Sequence, residues 1–88
     1  MSREQKLLNR LLSKPKDYTW AELSTLLKKL GYEQIEGSGS RVKFYLEEPR
    51  NLIMVHKPHP SGILKAYQIK DVINNLNKIG ATNENDEI

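Results

Sequence analysis

Residues 32–56, YEQIEGSGSRVKFYLEEPRNLIMVH, decide the fold. Three short extended runs, Tyr32 to Glu36, Val42 to Leu46 and Leu52 to His56, are separated by two stretches suited to chain reversal. Gly37-Ser38-Gly39-Ser40 supplies backbone freedom, and Glu47-Glu48-Pro49-Arg50-Asn51 holds the proline and asparagine of a second turn. The pattern predicts a three-stranded antiparallel meander. In the middle run the side-chain period of two sends Val42, Phe44 and Leu46 to one face and Arg41, Lys43 and Tyr45 to the other. One face is core; the other is basic and aromatic. The third run, Leu52-Ile53-Met54-Val55, is apolar on both sides, so alternation alone does not assign its inward face.

Helical periodicity lies on either side of the meander. Upstream, Thr19 stands three residues before Glu22, the spacing at which side chains and backbone donors cap a helix reciprocally. A helix is expected from Trp20 to Leu30, with Leu23, Leu26, Leu27 and Leu30 on one stripe and Gly31 to end it. Before that, Glu4 to Ser13 places Leu7, Leu8, Leu11 and Leu12 together and stops near Pro15. Downstream, Lys57 to Gly62 carries Pro58, Pro60 and Gly62 and reads as a loop. A last helix follows from about Tyr67 to Ile79, buried along Ile69, Val72, Ile73, Leu76 and Ile79 and closed by Gly80. The order is helix, helix, three strands, helix, an α+β class with an antiparallel sheet covered by helices on one face. Residues 1–17 are expected to form a helical extension, 18–81 the domain proper and 82–88 a disordered acidic tail.

Composition limits the function. Eighty-eight residues make one domain, because so short a chain cannot divide its core between two. The absence of cysteine excludes disulfides and thiolate metal sites and fits a reducing cytoplasm. No run of eighteen apolar residues exists to span a membrane, and the opening MSREQKLLNR lacks the apolar stretch of a signal peptide. The net charge of +3 is uneven, with seven basic and three acidic side chains in residues 1–31 and the acidic ATNENDEI at the end. A basic body of this kind favours polyanions. Lysine-rich helix faces are also common in proteins that bind no nucleic acid.

The stretch from Thr19 to Gly80 resembles the HicA family of toxin–antitoxin systems. WAELSTLLKKLGY is similar to the family's opening helix with its terminal glycine and aromatic residue. GSGSRVKFY is similar to its glycine-serine turn and second strand, and VHKPHPSGILKAYQIKDVINNL to its third strand, histidine-bearing loop and final helix. The resemblance implies a fold like the double-stranded RNA-binding domain, ribonuclease activity toward messenger RNA, and a partner antitoxin of the HicB type. The family's catalytic histidine follows the glycine-serine turn, and Arg41 stands in that place here. His59 matches a histidine that the family often carries before the last helix.

Cleavage of RNA without metal needs a base for the 2′-hydroxyl proton and a cation for the charge that builds on phosphorus. His56 and His59 are the two histidines of the chain, and histidine suits proton transfer because both of its forms are available near neutrality. Arg41 keeps its proton and suits a phosphate clamp better than a base. The expected site therefore has His59 or His56 moving the proton, with Arg41, Lys43, Tyr45 and Lys57 holding RNA and no cofactor. The plainer readings are a solvated loop histidine flanked by prolines and ordinary strand surface. His56 and His59 form an HxxH pair, but two ligands do not make a metal site. Three roles follow: a ribonuclease toxin, a binding module that has lost cleavage with the usual histidine, or an interaction domain whose first helix self-associates through its leucines.

Overall fold

The computed structural model describes residues 3–58 and 62–80. In chain order the elements are α1 (Arg3–Leu12), α2 (Trp20–Lys29), β1 (Glu33–Glu36), β2 (Arg41–Leu46), β3 (Asn51–His56) and α3 (Ala66–Lys78). The chain has the expected α+β architecture, with each strand hydrogen-bonded to its sequence neighbour in the order β1-β2-β3.

Local chemistry explains where the helices begin and end. At the start of α2 the Thr19 hydroxyl accepts the Glu22 backbone N–H at 3.2 Å, while Glu22 Oε1 accepts the Thr19 N–H at 2.9 Å. Two amides that the first helical turn leaves unsatisfied are thus paired. The chain leaves α2 through Gly31, whose φ of +107° disfavours any side chain, and a Cβ there would lie 3.2 Å from Leu46 Cδ1. Helix α1 stops just before Pro15, where Lys14 takes a φ of 54°. A residue preceding proline is driven out of the right-handed helical region, so α1 cannot continue.

The register settles which face of the sheet is inward. Phe44 lies opposite Ile53 and Val42 opposite Val55 in the β2–β3 ladder, and all four are buried. Leu52 and Met54, on the alternate positions of β3, are exposed. The inward face meets Leu23, Leu26 and Leu27 of α2 and Ile69, Val72, Ile73 and Leu76 of α3 in one continuous core. Trp20 packs at its edge, its ring centroid 5.7 Å from that of Phe44.

Helix α1 belongs to this core. Leu11 is fully buried and Leu8 nearly so, with Leu7 and Leu12 packed against the same cluster. The buried Tyr18 donates its hydroxyl proton to the Leu7 carbonyl at 3.0 Å. The Arg10 guanidinium reaches Glu22 Oε2 at 2.9 Å and Asp17 Oδ1 at 3.0 Å, joining α1, the connecting turn and α2. The idea that the leucine stripe drives self-association is therefore corrected. Leu8 and Leu11 are turned onto the domain's own interior and are not available to a second copy.

A second junction ties the two ends of the domain together. Thr19 and Ile63 form an isolated antiparallel bridge, flanked by Trp20 N–H to Gly62 O and Leu64 N–H to Tyr18 O, both 2.9 Å. The connection from β3 into α3 is thereby pinned to the start of α2. Among the described residues no helix is long and apolar enough to cross a membrane. The tail 82–88 lies outside the described residues.

Candidate nucleic-acid interface

The glycine-serine turn delivers β2 with Arg41 as its first residue, and Gly37 N–H closes the turn on the Arg41 carbonyl at 2.8 Å. From there alternation does the rest. Val42, Phe44 and Leu46 go inward, and Arg41, Lys43 and Tyr45 go outward, the first two exposed and Tyr45 half-buried. The β2–β3 register sets Arg41 directly opposite His56, Lys43 opposite Met54 and Tyr45 opposite Leu52. Directly opposed residues hold their Cβ atoms about 5 Å apart, so the Arg41 guanidinium and the His56 imidazole project side by side from one surface. On the other flank Ile35 of β1 lies opposite Lys43 and Glu33 opposite Tyr45.

The outer face is therefore graded. At the end nearest the glycine-serine turn it carries Arg41 beside His56, and the next row sets Lys43 between Ile35 and Met54. Toward the middle it is apolar, with Ile35, Met54 and Leu52 exposed at 44, 53 and 49%. Among the described residues neither Arg41 nor Lys43 forms an ion pair. Two unpaired cations beside exposed apolar surface can bind phosphate and stack or cover a planar group. They can equally meet an acidic, partly apolar protein face.

Lys57 is not brought into this group. It pairs backbone to backbone with Ser40 at 2.8 Å, and alternation from His56 turns its side chain to the opposite side of the sheet. There its Nζ lies 3.7 Å from Glu36 Oε1. His59 lies outside the described residues. Neighbouring anchors are well defined nonetheless, with Lys57 held to Ser40 on one side and Leu64 held to Tyr18 on the other.

Sequence reasoning missed the residues that surround His56. Gln68, buried at 7% exposure, donates from Nε2 to the His56 carbonyl at 2.9 Å and accepts the Lys65 N–H on Oε1 at 2.9 Å. One side chain thus caps α3 and fixes the end of β3. Beside it a cleft is lined by Met54, Val55, His56, Tyr67, Gln68 and Asp71. Tyr67 and Asp71 stand one helical turn apart, off the apolar stripe of α3, and that offset was the signal available in the sequence.

Farther along the same edge, Asn51 Nδ2 donates to Asn75 Oδ1 at 3.3 Å, and the Tyr32 hydroxyl donates to Asn51 Oδ1 at 2.7 Å. Burial pushes the Tyr32 hydroxyl up to about 12, so it stays a protonated donor at neutral pH. These bonds seat α3 alongside β3. Among the described residues no group of three or more His, Asp or Glu side chains converges as a metal site.

Comparison with known families gives one result that covers most of the chain. A family model described as HicA toxin of bacterial toxin-antitoxin matches residues 20–80. The match begins with α2 and ends after α3, so α1 lies outside it. No curated protein and no solved structure gives a significant match.

Proposed function

Because the chain belongs to the HicA toxin family of bacterial toxin–antitoxin systems, we propose that it is the toxin of a HicA/HicB-type pair and a metal-independent ribonuclease acting on messenger RNA. The observation that carries this reading is the pairing of Arg41 with His56 across the β2–β3 ladder on an exposed face. His56, or His59 in the following loop, takes the proton from a ribose 2′-hydroxyl. The freed oxygen attacks the adjacent phosphorus, the 5′-oxygen leaves with a proton, and a 2′,3′-cyclic phosphate remains. Arg41 and Lys43 stabilise the extra negative charge that builds on the phosphoryl oxygens, a task suited to a guanidinium that never loses its proton. Tyr45 offers a ring beside them, while Lys57, paired with Glu36 on the far side of the sheet, takes no direct part. An antitoxin of the HicB type would cover the same face, and the exposed Ile35, Leu52 and Met54 give it apolar surface to bury.

A second reading is favoured by Arg41 itself, which occupies the position of the family's usual catalytic histidine. On that reading the domain grips RNA or its antitoxin without cleaving. Induction in a bacterial host, with growth and message integrity followed together, separates the two. Arrest with message loss that disappears in His56→Ala or His59→Ala supports cleavage; arrest with message loss that survives in both variants refutes the histidine mechanism. If the native chain is harmless and Arg41→His alone becomes toxic, the binding module is the correct reading.

A further inference from the structure

We infer that the cleft between β3 and the first turns of α3 is a binding site for a single unstacked guanine base of the RNA, an inference that rests on the proposed action on RNA. The cleft measures about 300 Å³ including the solvent at its mouth, and among the described residues its walls come from β3 and α3, held in fixed relation. Met54 and His56, two residues apart on β3, share the outer face of the sheet. Tyr67 and Asp71, four apart on α3, share one flank of the helix. Gln68 forms the floor and cannot drift, because its amide is used at both ends, on the Lys65 N–H and the His56 carbonyl.

Tyr67 is 60% exposed and Met54 53%, two large apolar groups facing solvent across one small cleft. A planar base entering from the outer face would slide between the tyrosine ring and the methionine side chain. Base stacking of this kind is the common way in which proteins hold an unpaired nucleotide.

The base is selected by the carboxylate. Among the described residues Asp71 forms no ion pair and its side chain accepts no hydrogen bond, so both oxygens are free. An ionised carboxylate only accepts. Guanine alone presents two adjacent donors on its Watson–Crick edge, N1–H and the N2 amino group, and can satisfy both oxygens at once. Adenine and cytosine place a ring-nitrogen acceptor beside their amino group, and uracil flanks its one N–H with two carbonyls. Each of these would set a lone pair against the carboxylate. His56 lines the same cleft and stands opposite Arg41, so a base held here would bring its own phosphate toward the Arg41 and Lys43 end of the face.

The test uses the full chain and short single-stranded 2′-O-methyl oligonucleotides, which cannot be cleaved through the 2′-oxygen, in fluorescence anisotropy titrations at fixed salt. A uridine tract with one central guanine should bind about tenfold or more tighter than the same tract with central adenine or cytosine. Replacing that guanine by inosine, which lacks the N2 amino group, should forfeit much of the gain. Asp71→Asn should abolish the preference while keeping binding to the plain tract, and Tyr67→Ala should weaken all the sequences that place a base in the cleft. Both residues are exposed, and an unchanged melting curve shows that the variants are folded.

If the native chain binds the tracts but treats all four bases alike, or if Asp71→Asn retains the guanine preference, the cleft is not a guanine site and the ribonuclease reading is untouched. If no oligonucleotide binds at all, the RNA reading fails and the cleft inference fails with it.

Discussion

Replacing Leu11 by alanine should cost about 3–4 kcal/mol of folding free energy, although Leu11 lies outside the stretch that matches the family. The side chain is fully buried in the core shared with α2 and α3. Truncation removes three buried carbons, roughly 2.4 kcal/mol at ~0.8 kcal/mol each. The cavity left by incomplete collapse adds to this, as in other buried leucine truncations, which cost about 2–5 kcal/mol. In urea, with a slope near 1–1.5 kcal/mol per molar for a domain of this size, the midpoint should fall by about 2–4 M. Trp20 is the one tryptophan of the chain and sits against Phe44, so its fluorescence reports the core directly. A drop under about 0.5 M would refute the reasoning, because it would mean that α1 is an appendage whose leucines do not stabilise the sheet and its helices. The midpoint should also be independent of protein concentration, since a dimer held by the leucine stripe would become more stable as concentration rose.

Acid should weaken the junction of α1 and α2. The Arg10 hydrogen bond, with lesser help from the Thr19 backbone, holds the Glu22 carboxyl below its ordinary 4.5. A lowered carboxyl stabilises the fold fully above about pH 5 and loses that contribution as pH falls through its folded value. Glu22→Gln should therefore flatten the decline in urea midpoint between about pH 5 and 3, and parallel profiles for the two proteins would refute the coupling. Gln68→Leu should cost about 1–2 kcal/mol, because the Lys65 N–H and the His56 carbonyl both lose their partner. A urea midpoint within ~0.3 M of the native protein would show that the Gln68 bonds are replaced by water without loss.

The elements most legible in the sequence are those whose signals are local. The Thr19–Glu22 cap and Gly31 bracket α2 within about one residue of the expected ends, and the two turns punctuate the meander where they should. The middle strand is also legible, since its alternation leaves a single choice of inward face. β3 is not, because Leu52-Ile53-Met54-Val55 satisfies either choice, and the inward face is chosen only by pairing Ile53 with Phe44. α1 shows a leucine stripe but not what the stripe meets; that depends on Tyr18 and Arg10 folding it back onto α2.

Within the candidate site, the adjacency of Arg41 and His56 needs the strand register as well as the strands. Lys57 illustrates the opposite case. Carrying the β3 alternation one residue farther already separates it from His56 by a face, so this separation is legible in the sequence. For Tyr67 and Asp71 the helical spacing shows only that they share the flank of α3 off its apolar stripe; that this flank meets β3 is a tertiary fact with no trace in the sequence.

The sheet has two sides, and the core consumes one of them. Everything polar or cationic that β2 can offer a macromolecule emerges on the remaining side, over a width of three strands. Two large ligands of this sheet must then exclude each other and compete by mass action. An antitoxin seated there would act as a stopper whose hold weakens as RNA accumulates. Its apparent affinity would fall as free RNA rose above its own dissociation constant, and the occupancy of either ligand would be lowered by the abundance of the other with no change of shape in the domain.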